Sequence, residues 1–124
     1  MMKSDFHDLD VWKKGRELRK EIWVLCKKLH SEERFRLSDQ MIRASRSITA
    51  NVAEGYGRFH YQENIQFCRQ SRGSAYEMID HITVAVDCEY VNNEQGQYYI
   101  NKVEEIIKLL NGYIKYLSER KLNG

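Results

Sequence analysis

The stretch SITANVAEGYGR, Ser47 to Arg58, sets Asn51, Glu54 and Arg58 among alanines and glycines. An amide, a carboxylate and a guanidinium within twelve positions is a mixture that active sites often use. Three further chemistries deserve the same test. Cys26 and His30 lie one helical turn apart and could share a metal-facing side, with His60, Cys68, His81 or Cys88 completing a set of three or four ligands. Ser45, Ser47, Ser71 and Ser74 are hydroxyls that a base could activate. The basic side chains of the first three helical segments could neutralise phosphate.

Most of these fail on spacing. A di-iron bundle needs two Glu-x-x-His motifs, whereas Glu77 and His81 are four apart and have no second copy. The serines lack a nucleophile-elbow context, and no phosphate-binding or dinucleotide loop is present. The glycines of GYGR would need the next helix to present its N-terminus to an anion, and His60 is a poor cap there. Glu54 and Arg58 form an i,i+4 pair of the kind that stabilises an exposed helix by a few tenths of a kcal/mol. The reading is therefore no catalytic residues, no metal and no cofactor. What remains is the cations. Lys13, Arg16 and Lys20 share one face of the first helix, where Glu17 and Glu21 dilute them, and Arg43, Arg46, Arg58, Arg69 and Arg72 follow.

The elements that position these residues are helices. The 124 residues fit a single domain over 1–124, with 42% hydrophobic and 31% charged residues and no Pro. Apolar residues recur at helical spacing from about Asp8 to Leu29 (Val11, Leu18, Ile22, Leu25, Leu29), widened by Trp12 and Trp23. A charged loop, HSEERFR, is expected next. Ser38 then reads as the N-cap of a second helix reaching Gly55, with Gly55 and Gly57 as terminators. A third helix is expected over Tyr61 to Cys88. Asn92 with Gln95 reads as the capping box of a fourth. Short connections between long amphipathic helices predict an all-α, antiparallel up-down-up-down four-helix bundle.

On the second helix, Ile48, Val52 and Gly55 continue the core seam, and Ser47, Asn51, Glu54 and Arg58 form a polar edge. Arg46, Ala50, Ala53 and Gly57 make an outer stripe of unusually small residues. That stripe predicts contact on the outer side, by another subunit or a flanking segment. Gly73, in mid-helix, predicts either the close approach of a neighbour or a kink. Three cysteines without CxxC spacing, no apolar leader and no apolar run of about 20 residues predict a cytoplasmic protein with no membrane contact. The net charge of +2 is modest, but residues 1–30 are rich in Lys and Arg while residues 61–91 are acidic.

FHDLDVWKKG, LSDQMIRASRSITANVAEGYGR and RQSRGSAYEM, in this order, resemble the bacterial four-helix bundle family encoded within 23S rRNA intervening sequences. The accessory variability determinant protein of diversity-generating retroelements is similar to that family. Asn51, Ala53, Glu54, Gly55, Gly57 and Arg58 match its central motif, as do Asp8, Leu9, Trp12, Gln40, Arg43, Gly73 and Ser74 elsewhere. Thr49 stands where the family often has Pro, and His60 where it often has Ser. The resemblance implies a non-enzymatic bundle assembled as a ring-shaped homopentamer. It also implies a basic surface for RNA or DNA, with a reverse transcriptase or ribosomal component as a possible partner.

Overall fold

The computed structural model describes residues 5–29 and 32–123. A short 3-10 turn (Phe6–Asp8) precedes four helices: α1 (Asp10–Cys26), α2 (Glu32–Gly57), α3 (Tyr61–Asp87) and α4 (Asn93–Asn123). Asp5 caps the turn by accepting from the His7 amide at 2.8 Å, while the Asp5 amide donates to the Asp8 carboxylate at 3.1 Å. At the start of α4, Asn92 and Gln95 cap each other reciprocally, at 2.7 and 3.1 Å, as the sequence predicts.

Each helix packs on its chain neighbours, and α1 closes the ring against α4. Polar contacts cross each of these seams. Arg19 meets Thr49, Ser71 meets the Ile48 carbonyl, Arg72 meets Asn111, and Glu21 meets Tyr98 and Lys102. Leu18, Ile22, Met41, Ile48, Val52, Cys68, Met78, Ile82, Val103 and Leu110 fill the common core.

The second helix departs from expectation at both ends. The predicted charged loop is helical from Glu32, and Ser38 is an interior, buried residue rather than an N-cap. Glu32 and Arg36 form an i,i+4 pair at 3.6 Å, a helical signal that a polarity reading mistakes for a loop. At the other end neither glycine terminates the helix by a left-handed turn. Phe59 does so, with φ 58°. Gly55 is instead a contact residue. A Cβ there would sit 2.9 Å from the Phe67 Cβ and 3.1 Å from the Asn64 carbonyl oxygen. Gly73 reverses its expectation: it is exposed, and nothing lies within 4 Å of a Cβ built on it. Trp23, expected to widen the apolar stripe, is 45% exposed.

These two glycines make a matched test in urea unfolding. Gly55→Val should destabilise the fold by about 2 kcal/mol, because backbone must move. Gly73→Ala should stabilise it by about 0.5–1 kcal/mol, because helix propensity is gained at no steric cost. A destabilising Gly73→Ala would show that its face is covered in an assembly.

Candidate nucleic-acid interface

The geometry of the site begins at Gly15. A Cβ on this residue would meet the Thr49 Cγ2 at 2.7 Å, so α1 and α2 nearly touch there. Long side chains on either side of this point line a groove along the two helices. Trp12, Arg16, Arg19, Trp23 and Lys27 recur at spacings of three and four, which places them on one face of α1.

Cations and rings alternate along this face. The guanidiniums of Arg16 and Arg19 lie 5.8 and 5.3 Å from the Trp12 ring centroid. Lys27 and Arg46 each lie 5.7 Å from the Trp23 ring. Thr49 ties the helices together here. Its Oγ1 accepts from Arg19 Nη1 at 2.8 Å and donates to the Arg46 carbonyl at 3.1 Å. Cation–π contacts of this kind hold the cationic heads over the groove without neutralising them.

The acidic residues of α1 lie elsewhere. Glu17 pairs with Lys14, which also reaches Glu105 of α4. Glu21 accepts from Tyr98 at 2.6 Å and pairs with Lys102 at 3.0 Å, both on α4. The carboxylates that dilute the basic run in sequence thus serve the α1–α4 seam. Among the described residues, Lys13, Arg16, Arg19, Lys20, Lys27 and Arg46 form no ion pair.

The other cations singled out from sequence are placed differently. Arg43 pairs with Asp39 at 3.8 Å. Arg58 pairs with Glu54 at 3.1 Å and Glu63 at 3.6 Å, and lies 5.1 Å from the Phe67 ring centroid. Arg72 donates to Asn111 of α4 at 2.7 Å. Arg69 is exposed on the same helix, α3, which makes no direct approach to α1. The structure therefore gathers Arg16, Lys20 and Arg46, adds Arg19 and Lys27, and leaves Lys13 exposed on α1. It separates Arg69 and Arg72 and engages Arg43 and Arg58 with carboxylates. Arg19 and Lys27 share the three/four spacing of Trp12 and Trp23, which is the signal that finds them.

The polar residues of the central stretch pair with one another and with the backbone. Asn51 Nδ2 donates to the Ser47 carbonyl and Oγ at 2.9 and 3.0 Å, and Ser47 and Ser74 hydroxyls lie 2.8 Å apart. With Gly55 seated against Asn64, these residues define the α2–α3 seam. Ala50, Ala53 and Gly57 lie on the outer side as expected, with Ala50 and Gly57 exposed and Ala53 half-buried.

Among the described residues no group of three or more His, Cys, Asp or Glu is placed to hold a metal. His30 lies outside them. Cys68 donates weakly to Asn64 Oδ1, and burial pushes its thiol up to about 12. Burial also raises Cys26, whose thiol points at the Ser38 carbonyl. No described helix is long and apolar enough to cross a membrane.

An all-α bundle whose unpaired cations gather along one helix pair defines the class. Residues 7–112 match the family described as 23S rRNA-intervening sequence protein, and the chain belongs to that family. It is similar to the crystal structure of a protein of unknown function from the S23 ribosomal protein family of Bacteroides thetaiotaomicron VPI-5482. The two share 30% identity over 85% of this chain and 95% of that one, with a TM-score of 0.79. No curated protein matches the chain.

The local field is measurable without any ligand. Trp12 is buried at 7% exposure, so quencher-accessible fluorescence belongs to Trp23. At low ionic strength, with each ion scaled to its quenching of free tryptophan, iodide should quench more efficiently than caesium, because Lys27 and Arg46 flank that ring. Trp23→Phe should remove most of the quenching. Equal quenching by the two ions would show that the groove carries no positive potential.

Proposed function

We propose that this protein is a non-catalytic, cytoplasmic, self-assembling bundle that binds RNA, alone or within an RNA–protein partner, through the basic face of α1 and α2. One observation carries the reading: the cations of this groove lack carboxylate partners, while Glu17 pairs with Lys14 of its own helix and Glu21 with Lys102 of α4. Unpaired, partly ordered cations next to aromatic rings suit phosphate, and counterion release would drive binding. No base-edge reading of duplex RNA is expected, because a groove of point charges recognises backbone.

Self-association rests on a second observation. Thr49, Ala50 and Ala53 form a shallow surface with Trp12, Arg19 and Arg46, next to the part of the groove that holds Trp23. Small side chains there permit close approach of another backbone. The family resemblance suggests a ring of five copies, in which the same cations would repeat and their fields add.

Mobility-shift titrations across salt test the first part. Binding should weaken steeply with salt. Lys20→Glu combined with Arg46→Glu should lower affinity at least about tenfold and flatten the salt slope by about 0.7 for each single-strand phosphate no longer neutralised. Arg69→Glu should change little. Binding that is absent at low salt, or flat with salt, would refute the phosphate mechanism. An assembly that ignores RNA but retains one specific protein would favour a protein scaffold.

Light scattering tests the second part. Ala53→Glu should yield a helical but smaller species. An unchanged mass would show that the outer stripe of α2 is not an interface.

A further inference from the structure

The groove is not uniform along its length. Towards the C-terminal end of α1 and the first turns of α2 it deepens into a cleft of about 430 Å³. This is within the range of roughly 300–1,000 Å³ typical of small-ligand sites. Two features of the cleft do not follow from phosphate binding alone, and a third continues it.

The first is a buried hydroxyl. Ser38 lines the cleft and is 4% exposed, yet its Oγ has no hydrogen-bond partner among the described residues. Ser45 and Thr83, also within helices, satisfy their hydroxyls on carbonyls of the preceding turn. Ser38 does not, so its donor and acceptor are both left unsatisfied in the wall of the cleft. The second feature is a pair of exposed rings, one from each helix: Trp23 at 45% and Phe35 at 68% exposure. Leu29 and Ile42 give the cleft an apolar floor. The third is charge. Lys27 and Arg46 stand at the cleft beside the Trp23 ring, and Asp39, its acidic lining residue, is engaged by Arg43.

We infer that this cleft receives one unpaired base of a single-stranded nucleic acid. The base lies against Trp23 and Phe35 and hydrogen-bonds Ser38 Oγ, while Lys27 and Arg46 take the flanking phosphates. Aromatic stacking of this kind tolerates any base, since every base has a π-face. The inference rests on the phosphate-binding reading above and gives it a strand preference. In a duplex the bases are stacked and paired and do not reach the cleft.

The test compares oligonucleotides of equal charge. A short single-stranded RNA and its DNA counterpart are measured beside the same strands annealed to their complements and beside abasic strands that keep every phosphate. The base-bearing single strands should bind about tenfold tighter than the abasic ones, the ratio expected of one stacked base. Trp23→Ala, Phe35→Ala and Ser38→Ala should each reduce that ratio towards one. The salt dependence should stay, because the cations remain. Lys20→Glu with Arg46→Glu should instead weaken base-bearing and abasic strands alike. Comparison of the RNA and DNA arms identifies which strand the cleft prefers. Equal, salt-dependent binding of abasic and base-bearing strands would overturn the cleft and leave the phosphate reading standing. No binding by any strand would overturn both. A drop in oligomer mass for Trp23→Ala, with the base preference intact, would assign the cleft to a second copy of the chain and overturn the inference. Trp23 and Phe35 are exposed, so circular dichroism should show these variants folded.

Discussion

Helix α2 must lie close to two neighbours at once, and much of the architecture follows from that constraint. On one side Thr49 sits against Gly15 of α1, and on the other Gly55 sits against Asn64 and Phe67 of α3. Neither contact leaves room for a larger residue at the glycine. Between them, Ser47, Asn51, Ser71 and Ser74 satisfy one another or the backbone across the α2–α3 seam. Small and polar residues in the centre of a long helix would be poor core formers alone. Here they set how near the flanking helices come, and the large apolar residues fill the remaining space.

The close approach at Gly15 also shapes the surface. Two helices that nearly touch cannot bury long side chains between them. Arg19, Arg46 and Trp23 line a groove beside the contact. On the opposite side of α1, Glu21 reaches Tyr98 and Lys102, and Glu17 reaches Lys14. One amphipathic helix thus sorts its charges between a seam and a free face. The sorting concentrates positive potential without a large net charge, which for the whole chain is only +2. A local field of this sort acts within about a Debye length, roughly 8–10 Å at physiological salt, so the modest total is no obstacle to a phosphate partner.

Asn51, Glu54 and Arg58, which look like a reactive cluster in sequence, serve the fold. Asn51 closes on Ser47, and Arg58 bridges Glu54 of its own helix and Glu63 of the next. The latter pairs are about half exposed and contribute little individually. Their placement marks the turn from α2 to α3, where Phe59 adopts the left-handed conformation that a glycine would take at less cost.

Apolar periodicity determined the four helices and their core faces by itself, because a helix must bury one stripe whatever its partners are. The reciprocal cap at Asn92 and Gln95 was equally legible, since it depends only on residues three apart. The start of α2 was not. Glu32, Arg36 and Ser38 suit a capped loop by polarity, and only the packing of Leu37 and Met41 into the core shows that the helix already runs there. Gly55 and Gly73 read alike in sequence, yet one is pressed against α3 and the other faces open space, because their surroundings come from other helices. The same holds for the cations. Their spacing placed them on faces, but whether a face meets carboxylates depends on which helix lies beside it. Tertiary structure alone decided that Glu21 would turn to α4, that Arg19 would reach Thr49, and that Lys27 and Arg46 would be left without a carboxylate along the groove.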